Sequence, residues 1–590
     1  MTYSEFENLH KKVGLNSCKT TKKAYNKFPV QTVVCAGFFY YMGFAMNIFQ
    51  PKLFSSLKSY SGKKFANDLI AGVIVAIIAL PLSIALAIAS GVSPEKGLYT
   101  AIIAGFVIAF LGGSNVNISG PTAAFATIVA GIVAQFGTSG LVIATIMAGL
   151  ILILMGIFRF GSLIKFIPHT ITTGFTSGIA LTIVIGQIKD FLGLSFPEGT
   201  HAVETVEKLE AVAKSIATFN WQALVVGAVA MAVLIVWPKI SKKIPGSLIA
   251  VVVGVVMVKA LKMDVNTVGD LYAISRDLPS FSVPEFSFNT IKQLLPSAFT
   301  IAILAGIESL LSCVVSDGMI NDKHNSNTEL IAQGVGNICS GLFGGIPATG
   351  AIARTAANVK NGGRTPVAGI IHAAVLLLIL VVLMPYAAWI PMPVIAAILF
   401  MVAYNMCEWR QFVKICKTAP KSDILVLVVT FVLTVVFDLV VAIEVGMLIA
   451  VVLFMKRMAD VANVRTWTSH GEDISADSER MKTIPDHTEV VEFEGPMFFA
   501  SSEKFASVPV KEGVKTIILR MRNVPSLDAT AMRSLYEIYN GCKKNGLTLI
   551  LSHANEQPLS VMKKSGFYDE VGAENFLPNI DEALAYAEKL

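Results

Sequence analysis

The chain has 590 residues, of which 54% are hydrophobic and 15% charged, with a mean hydropathy of +0.65. Soluble domains carry about a quarter charged residues, so this composition excludes an ordinary soluble enzyme and points to a polytopic membrane protein. The net charge of +6 belongs to basic loops at one membrane face, and no nucleic-acid role is read from it.

Residues 1–66 form an N-terminal cytoplasmic segment. Within it, Gln31 to Phe49 is apolar enough to span, yet lysines 11, 12, 19, 22, 23 and 27 precede it and lysines 52, 58, 63 and 64 follow. A single crossing cannot keep both flanks on the positive face, and no small-residue cleavage site follows the apolar run. Residues 1–45 are therefore read as an upstream extension, with Met46 as the initiator and "MNIFQPKLFSSL" as the lead-in to the first membrane helix.

Residues 67–457 form the transmembrane domain, with apolar segments near 67–90, 97–112, 119–133, 139–158, 166–186, 219–237 and 244–262, then near 295–316, 327–343, 348–359, 366–385, 391–406, 423–438 and 439–455. The fold class expected is a polytopic α-helical membrane protein of 14 segments, seven and seven. Placing Asn67 inside keeps Arg159, Lys165, Lys239, Lys360, Arg364, Arg410 and Lys456 on the cytoplasmic face. An odd number of crossings per half inverts the second half, as in secondary transporters. The repeats run over about 67–262 and 295–457.

"FLGGSNVNISGPTAAFATIV" and "LFGGIPATGAIARTAANV" share a glycine pair, a polar stretch and a helix start, and each is the third segment of its half. Both are too short to span alone. Pro121 suits a first helical turn, and Thr349 with Gly350 can open the other helix. Inverted repeats point these two half-helices (segments 3 and 10) at each other, and two facing N-termini with unpaired N–H groups favour an anion. Arg354 adds a full charge one turn into the second. The plainer alternative is that the glycines only permit close packing. Glu308, in "AILAGIESLLSCVV", is a carboxylate inside an apolar helix, a position that marks an ion or proton pathway. A structural ion pair with Arg354 is the alternative, and burial and Arg354 act on its protonation in opposite senses. Glu444 and His372 read as packing or interhelical hydrogen bonds.

Residues 458–486 read as a linker and 487–590 as a small α/β domain, with strands in "TEVVEFE", "KTIILRM" and "LTLILS" and helices near 528–544, 556–565 and from Asn579. The seven cysteines form no CxxC pair and suggest neither disulfides nor a metal site. There is no Walker loop, HExxH or GxSxG, so no enzyme is expected and no cofactor beyond a co-transported proton or sodium ion.

The motifs "ALPLSIALAIASGVSPEKGLYTAIIAGF", "SGPTAAF", "GIESLLSCVVSDGM" and "GLFGGIPATGAIARTAANVKNGGRTPVAG" occur in the order of a known family. The chain resembles the sulfate permease (SulP) family of anion transporters, relatives of the animal SLC26 proteins, over about Met46 to Leu590. It is most similar to the bacterial branch that includes the C4-dicarboxylate transporter. The resemblance implies a homodimer in the bacterial inner membrane and an elevator-like secondary transporter of sulfate, with bicarbonate or fumarate and succinate as competitors; a passive channel or exchanger is the rival class. A nucleobase transporter of related fold fits less well, since segment ten carries Arg354 where those proteins want a carboxylate.

Carried across by position, the resemblance implicates Pro121, Thr122, Ala123 and Ala124 with Ala351, Ile352, Ala353 and Arg354 in substrate binding, and Glu308 with Ser312 in ion coupling. Ala353 replaces a serine common in animal members, and Ala79, Leu82 and Ser83 stand where those members have glutamine-rich helices, so anion binding leans on backbone N–H groups. The C-terminal domain resembles the STAS domain, with "VPSLDATAMRSL" as its loop-to-helix signature. Asp528 is followed by Ala529 rather than the phosphorylated serine of anti-sigma-factor antagonists, with Thr530 next, so a regulatory module that dimerises or docks a cytosolic partner is expected.

Overall fold

The structure is a computed structural model describing residues 49–590 apart from 163–167, 198–204, 242–243, 273, 276, 286, 438, 469–483 and 507–512. Met46 and the Gln31–Phe49 run lie outside the described residues except for Phe49, as do Lys165, Lys242 and Lys243. The chain divides into two compact units between Gly446 and Met447.

The first unit is helical: α1 Gly62–Ala89, α2 Pro94–Leu111, α3 Ala126–Ile157, α4 His169–Leu192, α5 Trp221–Ile240, α6 Gly246–Leu261, α7 Phe288–Ile320, α8 Ser326–Leu342, α9 Ile352–Lys360, α10 Val367–Ala387, α11 Met392–Cys407 and α12 Lys421–Val436, with α13 Leu439–Val461 crossing the unit boundary. Eight helical stretches among the described residues are long and apolar enough to cross a bilayer. They are fewer than the segments expected from sequence for local reasons. The third and fourth segments run on as one helix bent at Gly137, whose φ of 67° only glycine adopts freely. The tenth is nine residues long.

The outward face of this unit carries large apolar side chains, among them Leu154, Val256, Leu378 and Val382, all more than half exposed. That surface suits lipid, and helices, which satisfy their backbone polar groups internally, are the elements a bilayer accepts. Inside, α3 packs along α7 and α8, and α10 packs on α1 and α2. Glycines permit the closest crossings. A Cβ on Gly149 would sit 2.6 Å from the Gly334 carbonyl, and one on Gly334 would sit 2.5 Å from that of Gly149.

Before each half-helix the chain is extended. Ser119–Gly120 (β1) and Thr349–Gly350 (β2) pair antiparallel, Ser119 with Gly350 and Gly120 with Thr349. Ser119 and Gly120 hold the same places in the first motif as Thr349 and Gly350 in the second, so the pairing exchanges equivalent residues about a local two-fold. A pairing of equivalent residues about a two-fold is the local symmetry that an inverted repeat gives.

The second unit contains a five-stranded sheet in the order β3-β4-β5-β6-β7, with β3 (Asn463–Thr468) antiparallel to β4 (Thr488–Glu494) and the rest parallel: β5 Thr516–Asn523, β6 Thr548–Ser552 and β7 Phe576–Leu577. The stretch expected as linker thus contains an edge strand at 463–468. Helices α14 Ala529–Lys544 and α15 Glu556–Lys564 belong to one core with Phe493, Leu519, Leu535 and Met562, and α16 Ile580–Ala587 packs with Val490, Ile518 and Ile550 on the other face.

Candidate substrate site

The half-helices are held by a polar stripe on α8. Glu329, Gln333 and Asn337 recur every fourth residue and are fully buried. The Glu329 carboxylate accepts from Gly113 N (2.9 Å), Asn117 Nδ2 (2.7 Å) and Gln333 Nε2 (3.0 Å). Gln333 Nε2 also reaches Ser119 Oγ at 2.9 Å. Asn337 holds Ala348 through both its amide oxygen and its amide nitrogen, each at 2.9 Å. One helix face therefore fixes both extended approaches. A buried carboxylate with three donors is a stable arrangement, whereas an unpaired one would be costly.

Helix α7 ties the two halves from the other side. Ser309 Oγ lies 2.8 Å from Thr349 Oγ1 and accepts from Gly350 N at 3.0 Å. Ser312 Oγ reaches Asn117 Oδ1 at 2.8 Å and Thr355 Oγ1 at 3.0 Å, and Ile118 N donates to Thr355 Oγ1 at 3.0 Å. Ser312 is thus joined to the first approach at Asn117 and to α9 at Thr355, and it is buried.

The first half-helix opens with a 3₁₀ turn at Ala123–Phe125 that runs into α3. Pro121 therefore stands before the helix and not in its first turn as the sequence suggested, because Gly120 is drawn into the β1–β2 pairing and keeps the chain extended through Thr122. Thr122 is the N-cap, and Thr is a residue type that ordinarily caps. Its hydroxyl instead donates to Glu308 Oε2 at 2.9 Å, so the first amides of this helix have no side-chain cap. The second half-helix opens at Ile352 after Ala351, which has no side chain able to cap.

Arg354 is buried, 3% exposed. Its Nη2 donates to the Pro121 carbonyl, joining the second half-helix to the residue before the first. Its Nη1 has no hydrogen-bond partner among the described residues. It lies against Gly120, where an added Cβ would come within 2.5 Å of it. Glu308 and Arg354 thus bond to Thr122 and Pro121, neighbouring residues, rather than to each other. Pro121, Ala123 and Ala124 are buried, Thr122, Ala351 and Glu308 half-buried, and Ile352 and Ala353 exposed, so the second helix start is the open side of the site.

The structure brings together Pro121, Thr122, Glu308 and Arg354 directly, with Ser312 behind them. Asn117, Glu329, Gln333, Asn337 and Thr355 were not singled out from sequence. The period-four polar stripe in "ELIAQGVGN" was the signal available for three of them. His372 on α10 is buried, and neither ring nitrogen has a hydrogen-bond partner among the described residues, so of the two roles expected, packing or an interhelical hydrogen bond, packing is the one left. Glu444 is exposed. In the second unit, Asp528 caps α14 through Ala531 N (2.8 Å) and accepts from Phe499 N (2.9 Å), while Thr530 is exposed. Among the described residues no group of three metal-ligating side chains stands together.

The sequence profile of the sulfate permease family matches residues 65–430, and that of the STAS domain matches residues 479–583. The chain is 39% identical over 530 residues to a putative sulfate transporter of Bacillus subtilis, covering 89% of this chain and 98% of that one. It is 31% identical over 549 residues to a bicarbonate transporter of Picosynechococcus, covering 89% and 95%. The solved transmembrane domain of a cyanobacterial bicarbonate transporter matches with a TM-score of 0.58 at 31% identity, over 66% of this chain and 98% of that one. The murine Slc26a9 anion transporter in its inward-facing state shares the fold, with a TM-score of 0.84 at 19% identity over 99% and 98% of the two chains. With its apolar helices and C-terminal STAS domain, the chain belongs to the sulfate permease family of anion transporters.

Proposed function

We propose that the protein is a secondary active transporter that takes up a small oxyanion, sulfate first, with a proton or sodium ion. The anion binds between the two half-helix starts, over Pro121, Thr122, Ala123 and Ala124 on one side and Ala351, Ile352, Ala353 and Arg354 on the other. The single observation that carries this reading is the pair of uncapped helix N-termini beside an Arg354 nitrogen with no hydrogen-bond partner among the described residues. Backbone N–H groups, two positive dipole ends and a guanidinium form an anion site whose selectivity lies in pocket size. Elevator-like movement of the half-helices against the remaining helices carries the bound anion across.

Glu308 couples the cation to the anion. Its carboxylate is bonded to Thr122, the residue that would otherwise cap the first half-helix, so a change in its charge alters the anion site directly. Ser312 supports this through Asn117 and Thr355, which tie the first approach to the second half-helix. Bicarbonate is the first alternative substrate, given the relatives named for it, and a C4-dicarboxylate the second. A passive channel or exchanger is the alternative class, and the polar Glu308 position in an apolar helix weighs against it. The protein works as a homodimer in the bacterial inner membrane, with the basic loops and the STAS domain cytoplasmic. The STAS loop at Asp528 and Thr530 dimerises or receives a cytosolic partner.

Equilibrium binding of labelled sulfate to the purified protein tests the site. Arg354→Gln should weaken binding about tenfold or more, the loss expected for one charge-assisted hydrogen bond. Unchanged binding would move the anion elsewhere.

A further inference from the structure

A polar pocket with two cationic side chains lies apart from the half-helix starts. A cavity of about 300 Å³ opens between the short helix Lys52–Leu57, the start of α1 and the loop after α9. Every side chain lining it is polar. Two are cationic, Lys64 and Arg364, and none is acidic. Asn115 forms part of the wall, accepting from Ser56 Oγ at 2.8 Å and donating to Asp322 Oδ2 at 2.6 Å.

The two cations are fixed in ways that leave donors facing the cavity. Lys64 Nζ is tethered to Ser59 O at 2.9 Å and Ser59 Oγ at 3.3 Å. Among the described residues the Arg364 guanidinium donates through Nη1 alone, to Val359 O at 2.8 Å and Gly363 O at 2.7 Å. Its Nε and Nη2 edge remains for a ligand, and that edge is the two-pronged fork that fits a tetrahedral oxyanion. The loop is rigid beneath it, because the fully buried Asp68 accepts from Arg364 N at 2.9 Å and Thr365 Oγ1 at 2.6 Å. Tyr60 adds a third bond to Asp68 at 3.0 Å; burial and the Asp68 charge push its phenol up to about 12, so it remains a donor.

The short helix is amphipathic in a way that names the ligand's other half. Ser55 and Ser56 line the cavity, while Phe54 and Leu57 are about half exposed. Phe54 packs edge-on against Phe110 at 5.9 Å, and Phe110 stacks with Phe106 at 6.1 Å, all three exposed on the apolar outer surface. Polar cavity and aromatic strip are thus adjacent on one turn, as an interfacial lipid requires.

We propose that this cavity binds a phosphate-class oxyanion, supplied by the headgroup of an anionic phospholipid whose acyl chain lies along Phe54, Phe106 and Phe110. Arg364 gives the site a consequence. Through Val359 it caps the C-terminus of the half-helix that carries Arg354, so the bound headgroup braces one side of the substrate site.

The test uses the full chain in nanodiscs of phosphatidylcholine, with and without phosphatidylglycerol. Native mass spectrometry counts retained phosphatidylglycerol, and a separate titration follows the unfolding midpoint with inorganic phosphate in phosphatidylcholine alone. Lys64→Gln, which spares the Arg364 cap, should lower phosphatidylglycerol retention about fivefold, the share of one basic residue at an anionic surface, and Lys64→Arg should restore it. A midpoint raised by inorganic phosphate in the wild type but not in Lys64→Gln would assign the same cavity to a soluble oxyanion. Equal lipid retention and equal phosphate response in wild type and Lys64→Gln would overturn the proposal. These readouts measure binding and not transport, so they stand apart from the fate of the transport reading.

Discussion

Thr122 Oγ1 donates a 2.9 Å hydrogen bond to Glu308 Oε2, so the cap residue of the first half-helix is bonded to the membrane-embedded carboxylate of α7. The contact joins positions 186 residues apart and puts the Glu308 carboxyl in direct touch with the start of the first half-helix.

That bond gives the first prediction. Thr122→Val keeps the side-chain volume and removes the donor. The concentration of driving cation needed for half-maximal uptake should change about fivefold, the worth of one hydrogen bond, and Thr122→Ser should restore the wild-type value. Uptake assays in proteoliposomes read both.

Gly120 and Gly350 occupy equivalent places but meet different neighbours. A Cβ on Gly120 reaches Arg354 Nη1 at 2.5 Å, whereas one on Gly350 reaches the Asn117 side chain at 2.7 Å. Gly120→Ala should therefore lower anion affinity about tenfold while the protein still inserts and folds, an overpacking cost of about 1–3 kcal/mol falling on the guanidinium. Gly350→Ala should act on stability instead, because it presses on the network that anchors both approaches. Sulfate binding and thermal unfolding measured side by side separate the two.

Glu329 anchors the first approach through three donors. Glu329→Ala strands Gly113 N–H and Asn117 Nδ2 in the interior, while Gln333 keeps Ser119 as a partner, at roughly 1–3 kcal/mol for each unpaired group, so a loss of about 2 kcal/mol or more is expected. Glu329→Gln keeps an acceptor and should lose less. Unfolding of the purified protein in detergent provides the comparison, and equal stability of the two variants would contradict the assigned bonding.

In the second unit, Cys542 lies on the buried face of α14, and burial pushes its thiol up to about 11. At pH 7.5 it should react with iodoacetamide on the order of a hundredfold more slowly than a free thiol. Reactivity should appear only when the domain unfolds, which peptide mapping of the alkylated full chain would show.

Much of the site could be read from the residues because membrane burial makes polar groups conspicuous. Arg354 and Glu308 stand out in apolar surroundings, and the doubled glycine motif exposes the half-helices before any contact is known. The α/β character of the C-terminal domain was legible in the alternation of "TEVVEFE" and "KTIILRM", but the strand at 463–468 was not, since "NVRTWT" is a half-polar edge strand beside a long polar stretch. The partner of Glu308 was equally hidden. Nothing local says that Thr122 forgoes its own helix, because the competing acceptor arrives from a distant segment. Pro121 shows the same limit: its residue type suits a first helical turn, and tertiary pairing of Gly120 with Thr349 overrides that preference.

The most direct test of the central claim is uptake of labelled sulfate, bicarbonate and fumarate into proteoliposomes under an inward proton gradient and then a sodium gradient, for wild type and Glu308→Gln. The account predicts that one anion accumulates only with a gradient, and that Glu308→Gln abolishes accumulation while still exchanging anion across the membrane. Uptake indifferent to both gradients, with Glu308→Gln behaving like wild type, would contradict it.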